Sequence, residues 1–349
     1  MPNLLLTFNP LSMNAIILKC KPYSSFHFGQ VAVDADTSLN DTSAFLHSDT
    51  LFSALINLAA RVYPDAIETI LELFGHNTAT PKVRLSSGFY CLQKGADEVY
   101  FLPRPLSSQF KTRTNHKDLK EIQFISKGLW EQGINADDWF DAAKCCIVQK
   151  KFAMTKAEYA AFNLTEKSEI YKTISMPKVA LHKDTKKDSF YHQTNIQLGD
   201  LGETQIHFYF LVERSSELTA EETQKINVLF NMLPHVGIGG ERTTGCGLFE
   251  DVEERSFILN TDINCQVTVS LTNPKDLTEF KTFTQYQIVQ RGGRQTGADG
   301  TLKKVLMITE GSVAKSPVNG RIVDIALLTK NPYLRNGIGF TLPYSVLTI

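Results

Sequence analysis

The segment SELTAEETQKINVLFNMLPHVGIGGERTTGCGLFEDVEE constrains the chain more than any other. Thr219 and Glu222 have capping-box spacing, and Ile226, Leu229, Phe230 and Leu233 recur at i, i+3, i+4 and i+7. This spacing predicts a helix with one apolar face, ended by Pro234. Glycines 237, 239, 240, 245 and 247 then surround Arg242, and LFEDVEE reads as a strand. Glycine is used where backbone takes positive φ or passes close to another chain. What approaches this loop is open at this point: a nucleotide phosphate, a nucleic-acid backbone, or another part of the same fold.

The direction of that connection excludes the common nucleotide motifs. A dinucleotide fingerprint follows a strand and opens a helix, whereas this loop leaves a helix and enters a strand. A Walker loop needs lysine and a hydroxyl residue after its last glycine; here Cys246 and Gly247 follow Gly245. NAD, FAD and ATP are disfavoured, and no cofactor is implied. Two readings stay open. Successive amides can cradle phosphate oxygens, with Arg242 adding a bidentate contact. Alternatively, the turn is a tight connector with Arg242 paired to Glu241 or Glu250.

Elsewhere, AIILKC (15–20) reads as a strand, and LHSDTLFSALINLAARVYP as a helix. Ser48 stands as its N-cap, Asp49 suits the helix dipole, Leu51, Phe52, Leu55, Ile56, Ala59 and Val62 form one face, and Pro64 stops it. VRLSSGFYCL and EVYFLPRP read as a strand pair, and QIHFYFLVE as an alternating strand. The order to about residue 256 is thus β-α-β-β-α-β, a ferredoxin-like or RRM-like arrangement. Residues 106–195 are lysine-rich and weakly periodic, and are expected to form a long insertion outside the core, with short helices. CQVTVSLTNP, TFTQYQIVQRGG, KKVLMITEGS and RIVDIALL supply strands for a second α+β or mostly β module. The expected fold is α+β, with domains at 1–256 and 257–349. Phe89, Tyr90, Tyr100 and Phe101 are expected mainly in the core, with base stacking as their other reading.

The net charge of −1 gives no whole-chain attraction for nucleic acid. Basic residues cluster locally, however, at Arg104–Lys120, at Lys144–Lys187, and at Arg291, Arg294, Lys303 and Lys304. Any one cluster reads as a solvated loop; together they point to an anionic partner. Six scattered cysteines without a C-x-x-C pair argue against a zinc site or disulfide framework. No apolar run approaches the roughly 20 residues of a membrane span. A cytoplasmic protein with no membrane partner is expected.

GIGGERTTGCGLFE resembles the glycine-rich loop of the RAMP superfamily of CRISPR proteins, through Gly237, Gly239, Gly240, Arg242, Gly245, Gly247 and Glu250. FHFG (26–29) with LHSDTLFSAL (46–55) is similar to the N-terminal signature of the family of Csm subunit four, from type III-A effector complexes. MPKVALHKDT (176–185), YQIVQRGG, KKVLMITEGSV and NPYLRNGIGFTLP extend the resemblance to about residue 345. It implies tandem ferredoxin-like modules and a non-catalytic subunit. That subunit would hold the 5′ handle of the crRNA and dock the large polymerase-like subunit and a backbone RAMP subunit. Target RNA would lie nearby through the guide duplex, beside a thumb-like hairpin formed by the insertion. Where the family carries arginine and an Asp-Arg pair, this chain has Lys178 and His182-Lys183. Lysine keeps a phosphate contact as a point charge but loses the bidentate fork.

The resemblance assigns RNA contacts to the loop, Thr243 included, to Lys178 and Lys183, and to His27 and His47. Arg291 and Arg294 suit either a contact with the handle or a neighbouring subunit, or a plain turn between strands. Some RAMP relatives cut precursor RNA without metal, with histidine as general acid or base. His27 and His47 are therefore candidates for an alternative activity, a metal-independent crRNA-processing endoribonuclease. Their other readings are structural, His47 by capping and orienting the helix. A connector that touches only protein is a third possibility.

Overall fold

The computed structural model describes residues 11–29, 41–106, 116–133, 136–180, 189–260, 265–292, 302–326 and 332–345. The chain opens with strand β1 (Leu11–Lys19) and a short β2 (Ser25–Phe26), followed by helix α1 (Ser48–Val62). Pro64 ends α1 but begins a turn that leads into α2 (Ile67–Leu73). Strands β3 (Val83–Leu85), β4 (Phe89–Lys94) and β5 (Asp97–Pro103) follow. Next come α3 (His116–Glu121), β6 (Phe124–Ser126), α4 (Lys127–Gln132), β7 (Cys145–Val148), β8 (Phe152–Thr155) and α5 (Lys156–Ala161). A long hairpin, β9 (Tyr171–Ala180) and β10 (Ser189–Leu198), leads to β11 (Gln205–Arg214), α6 (Ala220–Val236) and β12 (Asp251–Leu259).

Among the described residues these strands build a mixed sheet in the order β12-β1-β11-β4-β5-β6-β8-β7, with β3 also paired to β11. Its first four strands answer the β-α-β-β-α-β order read from the sequence. Each helix connection joins two strands separated by one antiparallel neighbour, with Ile16 opposite Phe210 and Glu254. Strand β11 is buried along nearly its whole length, as a strand covered on both faces must be. Phe208 and Phe210 share one face, against the Phe26–Phe28 segment and against Phe230 of α6. Tyr209 points the other way, against Tyr100 and Phe257. Each such aromatic contributes roughly 1.5–3 kcal/mol by burial.

The expected insertion is corrected in part. Strands β6, β8 and β7 extend the main sheet, and Phe124, Trp130 and Phe152 are fully buried in the common core. Short strands within a polar background hide this, because each contributes only two or three inward side chains. Phe89, Tyr90, Tyr100 and Phe101 are core residues, as expected.

The C-terminal part comprises β13 (Cys265–Thr268), α7 (Leu277–Phe280), β14 (Phe283–Gln285), β15 (Ile288–Arg291), β16 (Val305–Ile308), β17 (Val313–Ala314), β18 (Val323–Asp324), β19 (Leu334–Arg335) and β20 (Thr341–Tyr344). A four-stranded sheet runs β14-β17-β13-β20, with ribbons β15-β16 and β18-β19 beside it. The chain is α+β, and a second β-α-β-β-α-β order is not found among the described residues. The C-terminal part shares the core through Val267, Val269, Phe340 and Leu342, and the Trp130 indole donates to the Pro343 carbonyl at 2.9 Å. No described helix is long and apolar enough to cross a membrane.

Candidate nucleic-acid interface

Helix α6 begins with the expected capping box. The Thr219 hydroxyl accepts from the Glu222 amide at 3.1 Å, while the Glu222 carboxylate accepts from the Thr219 amide at 2.8 Å. The helix continues two residues past Pro234, which sits in its last turn, and Gly237 (φ 69°) turns the chain out. The glycine segment then runs back against Ser25–His27. Gly240 donates to the His27 carbonyl at 2.9 Å, and Gly247 to that of Ser25 at 2.8 Å. Gly239 has φ +96°, and a Cβ there would stand 2.5 Å from the His27 oxygen. The close approach that demands glycine at this corner is thus made by the fold itself.

Arg242 is exposed at the start of a single turn, Arg242–Thr244, and donates to the Val236 carbonyl at 3.3 Å. The two carboxylates considered for it are otherwise engaged. Glu241 lies 3.9 Å from Lys178 on β9, and Glu250 lies 2.7 Å from Lys21. Among the described residues no carboxylate pairs with Arg242. Lys178 is brought beside the loop, and Thr243 and Gly245 are exposed there. Lys183 and Arg294 lie outside the described residues.

The two histidines are both buried. His27 is 3% exposed, with Nδ1 2.8 Å from the Thr194 carbonyl. His47 is 7% exposed, with Nδ1 2.9 Å from Glu310 Oε1. His47, not Ser48, holds the N-cap position of α1, and its side chain makes no capping bond. Ser48 is used across the fold instead: its amide donates to Ser87 Oγ at 2.9 Å, and its hydroxyl accepts from the Leu271 amide at 3.1 Å. Burial alone would raise the Glu310 carboxyl, but His47 and the Ser87 hydroxyl hold it below its ordinary range.

Asp49 is more than a favourable charge at a helix start. It is fully buried and accepts from Arg291 Nε at 2.8 Å, from Arg291 Nη2 at 2.9 Å and from Arg335 Nη1 at 2.8 Å. Burial would push its carboxyl up; the two guanidiniums overcome this and hold it far below the usual range. Arg291 is itself only 3% exposed, and also donates toward Thr50 Oγ1 and the Gly29 carbonyl. Of its two readings, this placement favours the structural one.

Between α1 and the loop lies an open cleft of about 490 Å³. Thr50, Ser53, Asn57 and Arg61 line one wall, and Gly239, Gly240, Arg242 and Arg335 border it from the other elements. Arg61 and Arg335 did not stand out in the sequence. The polar i, i+3, i+7, i+11 stripe of Thr50, Ser53, Asn57 and Arg61, opposite the apolar face of α1, marks the first. Nothing local marks Arg335, whose partner Asp49 is 286 residues away.

A family model described as the CRISPR Csm4 C-terminal domain matches residues 261–344, the segment that supplies Arg291, Glu310 and Arg335. The protein named CRISPR system Cms protein Csm4 from Methanocaldococcus jannaschii is 26% identical over 355 residues, covering 90% of this chain and 89% of its own. Over most of its length the chain is thus similar to a Csm4 protein, and its C-terminal segment matches the Csm4 C-terminal domain. Another Csm4, from Thermococcus onnurineus, is 24% identical over 278 residues, covering 78% of this chain and 83% of its own. Among solved structures, one chain of a Csm3–Csm4 subcomplex of the type III-A CRISPR-Cas interference complex superposes with a TM-score of 0.69. It has 22% identity and covers 95% of this chain and 100% of that one. A chain from a Csm1–Csm4 cassette in complex with cA4 gives a TM-score of 0.56 at 17% identity, covering 97% of this chain and 100% of that one. These two similarities confirm the Csm4-like fold.

Proposed function

We propose that this chain is a non-catalytic, RNA-binding subunit of a type III-A Csm effector complex. It holds the 5′ handle of the crRNA at the glycine loop and joins the large polymerase-like subunit to the backbone RAMP subunits. The observation that carries the RNA assignment is the cleft between α1 and the loop, where Arg61, Arg242 and Arg335 border one space. Among the described residues neither Arg61 nor Arg242 is paired with a carboxylate, so their charge is available to phosphate. Lys178 adds a point charge beside the same loop. The protein partners rest on the similarity to Csm4 proteins and on the Csm3–Csm4 and Csm1–Csm4 assemblies of similar proteins. The hairpin β9–β10 is the element that suits contact with the guide–target duplex.

The endoribonuclease reading is weaker here. A general acid or base must reach the proton it transfers, directly or through one water. His27 and His47 are buried, each with Nδ1 engaged, and neither lines the cleft. Incubating the purified protein with repeat RNA in EDTA tests this. Intact RNA is expected; site-specific cleavage abolished by His27→Ala or His47→Ala would overturn the non-catalytic assignment.

A further inference from the structure

The basic cluster that opens at Arg104 takes no part in the cleft, and its first residue has a setting of its own. The Arg104 amide donates to the Gln123 carbonyl at 2.9 Å, and the Gln123 amide to the Lys151 carbonyl at 2.9 Å. One step beyond the pairs Pro103–Phe124 and Phe124–Phe152, these three residues form a row across the ends of β5, β6 and β8. Arg104 Nε donates to the Ile122 carbonyl at 2.8 Å, which anchors the guanidinium and leaves both Nη groups without a partner among the described residues. Lys151 Nζ stands 4.2 Å from the centre of the buried Tyr171 ring, and the Tyr171 hydroxyl donates to Gln123 Oε1 at 3.1 Å.

Both cations are half-buried, and among the described residues neither pairs with a carboxylate; Glu121 lies beside the exposed Lys150 instead, at 3.8 Å. Burial with no neighbouring negative charge draws the Arg104 guanidinium and the Lys151 ammonium down from their ordinary values. A charge taken partly out of water without a counter-charge is unfavourable, and an arriving anion relieves this. The turn that carries Lys151 is strained as well. Gln149 and Lys150 have φ of 53° and 56°, left-handed at two successive residues that are not glycine. The Gln149 side chain holds the turn against β9, accepting from the Ile170 and Tyr171 amides at 3.2 and 3.4 Å and donating to the Tyr171 carbonyl.

We propose that Arg104 and Lys151 form a second contact for RNA backbone, at the root of the β9–β10 hairpin and separate from the cleft. A guanidinium with both Nη groups free matches two oxygens of a phosphodiester, and Lys151 adds a point charge beside it. Position favours RNA over an acidic protein segment. Tyr171 opens β9, and seven residues along that strand, about 23 Å, Lys178 stands beside the glycine loop. The two points lie within reach of one strand, since single-strand sites cover roughly 4–16 nucleotides. This inference rests on the RNA-binding assignment made above.

The test measures affinity of the full chain, over a range of salt, for crRNA carrying its 5′ handle and for the same RNA shortened stepwise from its 3′ end. Wild-type affinity is expected to rise once the RNA spans both points. Arg104→Ala is expected to weaken the longer RNAs about tenfold and to lower their salt slope by about 0.7, with the shortest unaffected. Lys151→Ala, which removes no side-chain hydrogen bond among the described residues, is expected to lower the slope likewise. Arg104→Lys keeps the wild-type slope and loses part of the affinity, which a merely structural arginine would not do. If folded Arg104→Ala and Lys151→Ala variants bind every RNA as the wild type does, or weaken all lengths equally, the second contact is wrong. If they keep RNA but lose co-isolated protein subunits, the cations serve an acidic protein segment and the proposal is overturned. If the wild type binds no RNA of any length, the RNA-binding assignment itself fails, and this contact with it.

Discussion

Gly239 and Gly245 allow a controlled test of why the loop is rich in glycine. Both take positive φ, +96° and +89°. Their surroundings differ. A Cβ at Gly245 meets nothing within 4 Å, whereas one at Gly239 stands 2.5 Å from the His27 oxygen and 3.4 Å from the Phe28 ring. Alanine at either site carries the left-handed strain, about 1–2 kcal/mol. At Gly239 the two segments must also separate by several tenths of an ångström, which breaks the 2.9 Å bond from Gly240 to the His27 carbonyl. That adds about 1 kcal/mol for the bond and a similar amount for disturbed packing of Phe28. Urea unfolding should therefore show Gly239→Ala destabilised by about 3 kcal/mol and Gly245→Ala by about 1 kcal/mol. Equal losses would refute the reasoning, because they would mean that conformation alone, not the approach of His27, selects glycine.

Asp49→Asn leaves two guanidiniums without their shared charge, at side-chain exposures of 4% and 14%, and should cost about 3–5 kcal/mol in the same assay. Lys21→Ala, which removes the exposed pair with Glu250, should cost less than about 1 kcal/mol; comparable losses would contradict the buried-network account. A pH effect is expected at His207, whose Nδ1 accepts from the Cys20 amide at 3.1 Å. Burial, with Lys19 nearby, pushes its imidazole down to about 4, against roughly 6.5 in an unfolded chain. The unfolded state therefore binds the proton first, so this contribution is complete above about pH 6.5 and is lost as pH falls toward 4. Unfolding midpoints of His207→Gln should fall less steeply over that interval than those of the wild type, and identical slopes would remove His207 as the cause.

The parts of the fold written in local patterns were legible. Helix α6, its cap and the reversed polarity of the glycine loop all follow from neighbours in sequence, and so do the first four strands of the main sheet. Features fixed by distant partners were not. Ser48 satisfies every local rule for an N-cap, yet its hydroxyl is taken by the Leu271 amide, 223 residues on. Asp49 reads as a dipole partner because Arg291 and Arg335 meet it only in the folded chain. Phe124, Trp130 and Phe152 sit among lysines and short strands, so their shared burial leaves no periodic trace. For the site, the glycines and Arg242 announce themselves by composition, while Arg335 becomes visible only when β19 is set beside α1.

The account stands on RNA occupying the cleft between α1 and the loop. Ultraviolet crosslinking of the chain purified with its co-isolated RNA, followed by peptide mapping, measures this directly. Adducts are predicted within Gly237–Gly247 and on the Thr50–Arg61 face of α1, joined to nucleotides of the 5′ handle. Adducts confined to other surfaces, or a folded complex carrying handle RNA with none at these residues, would contradict it.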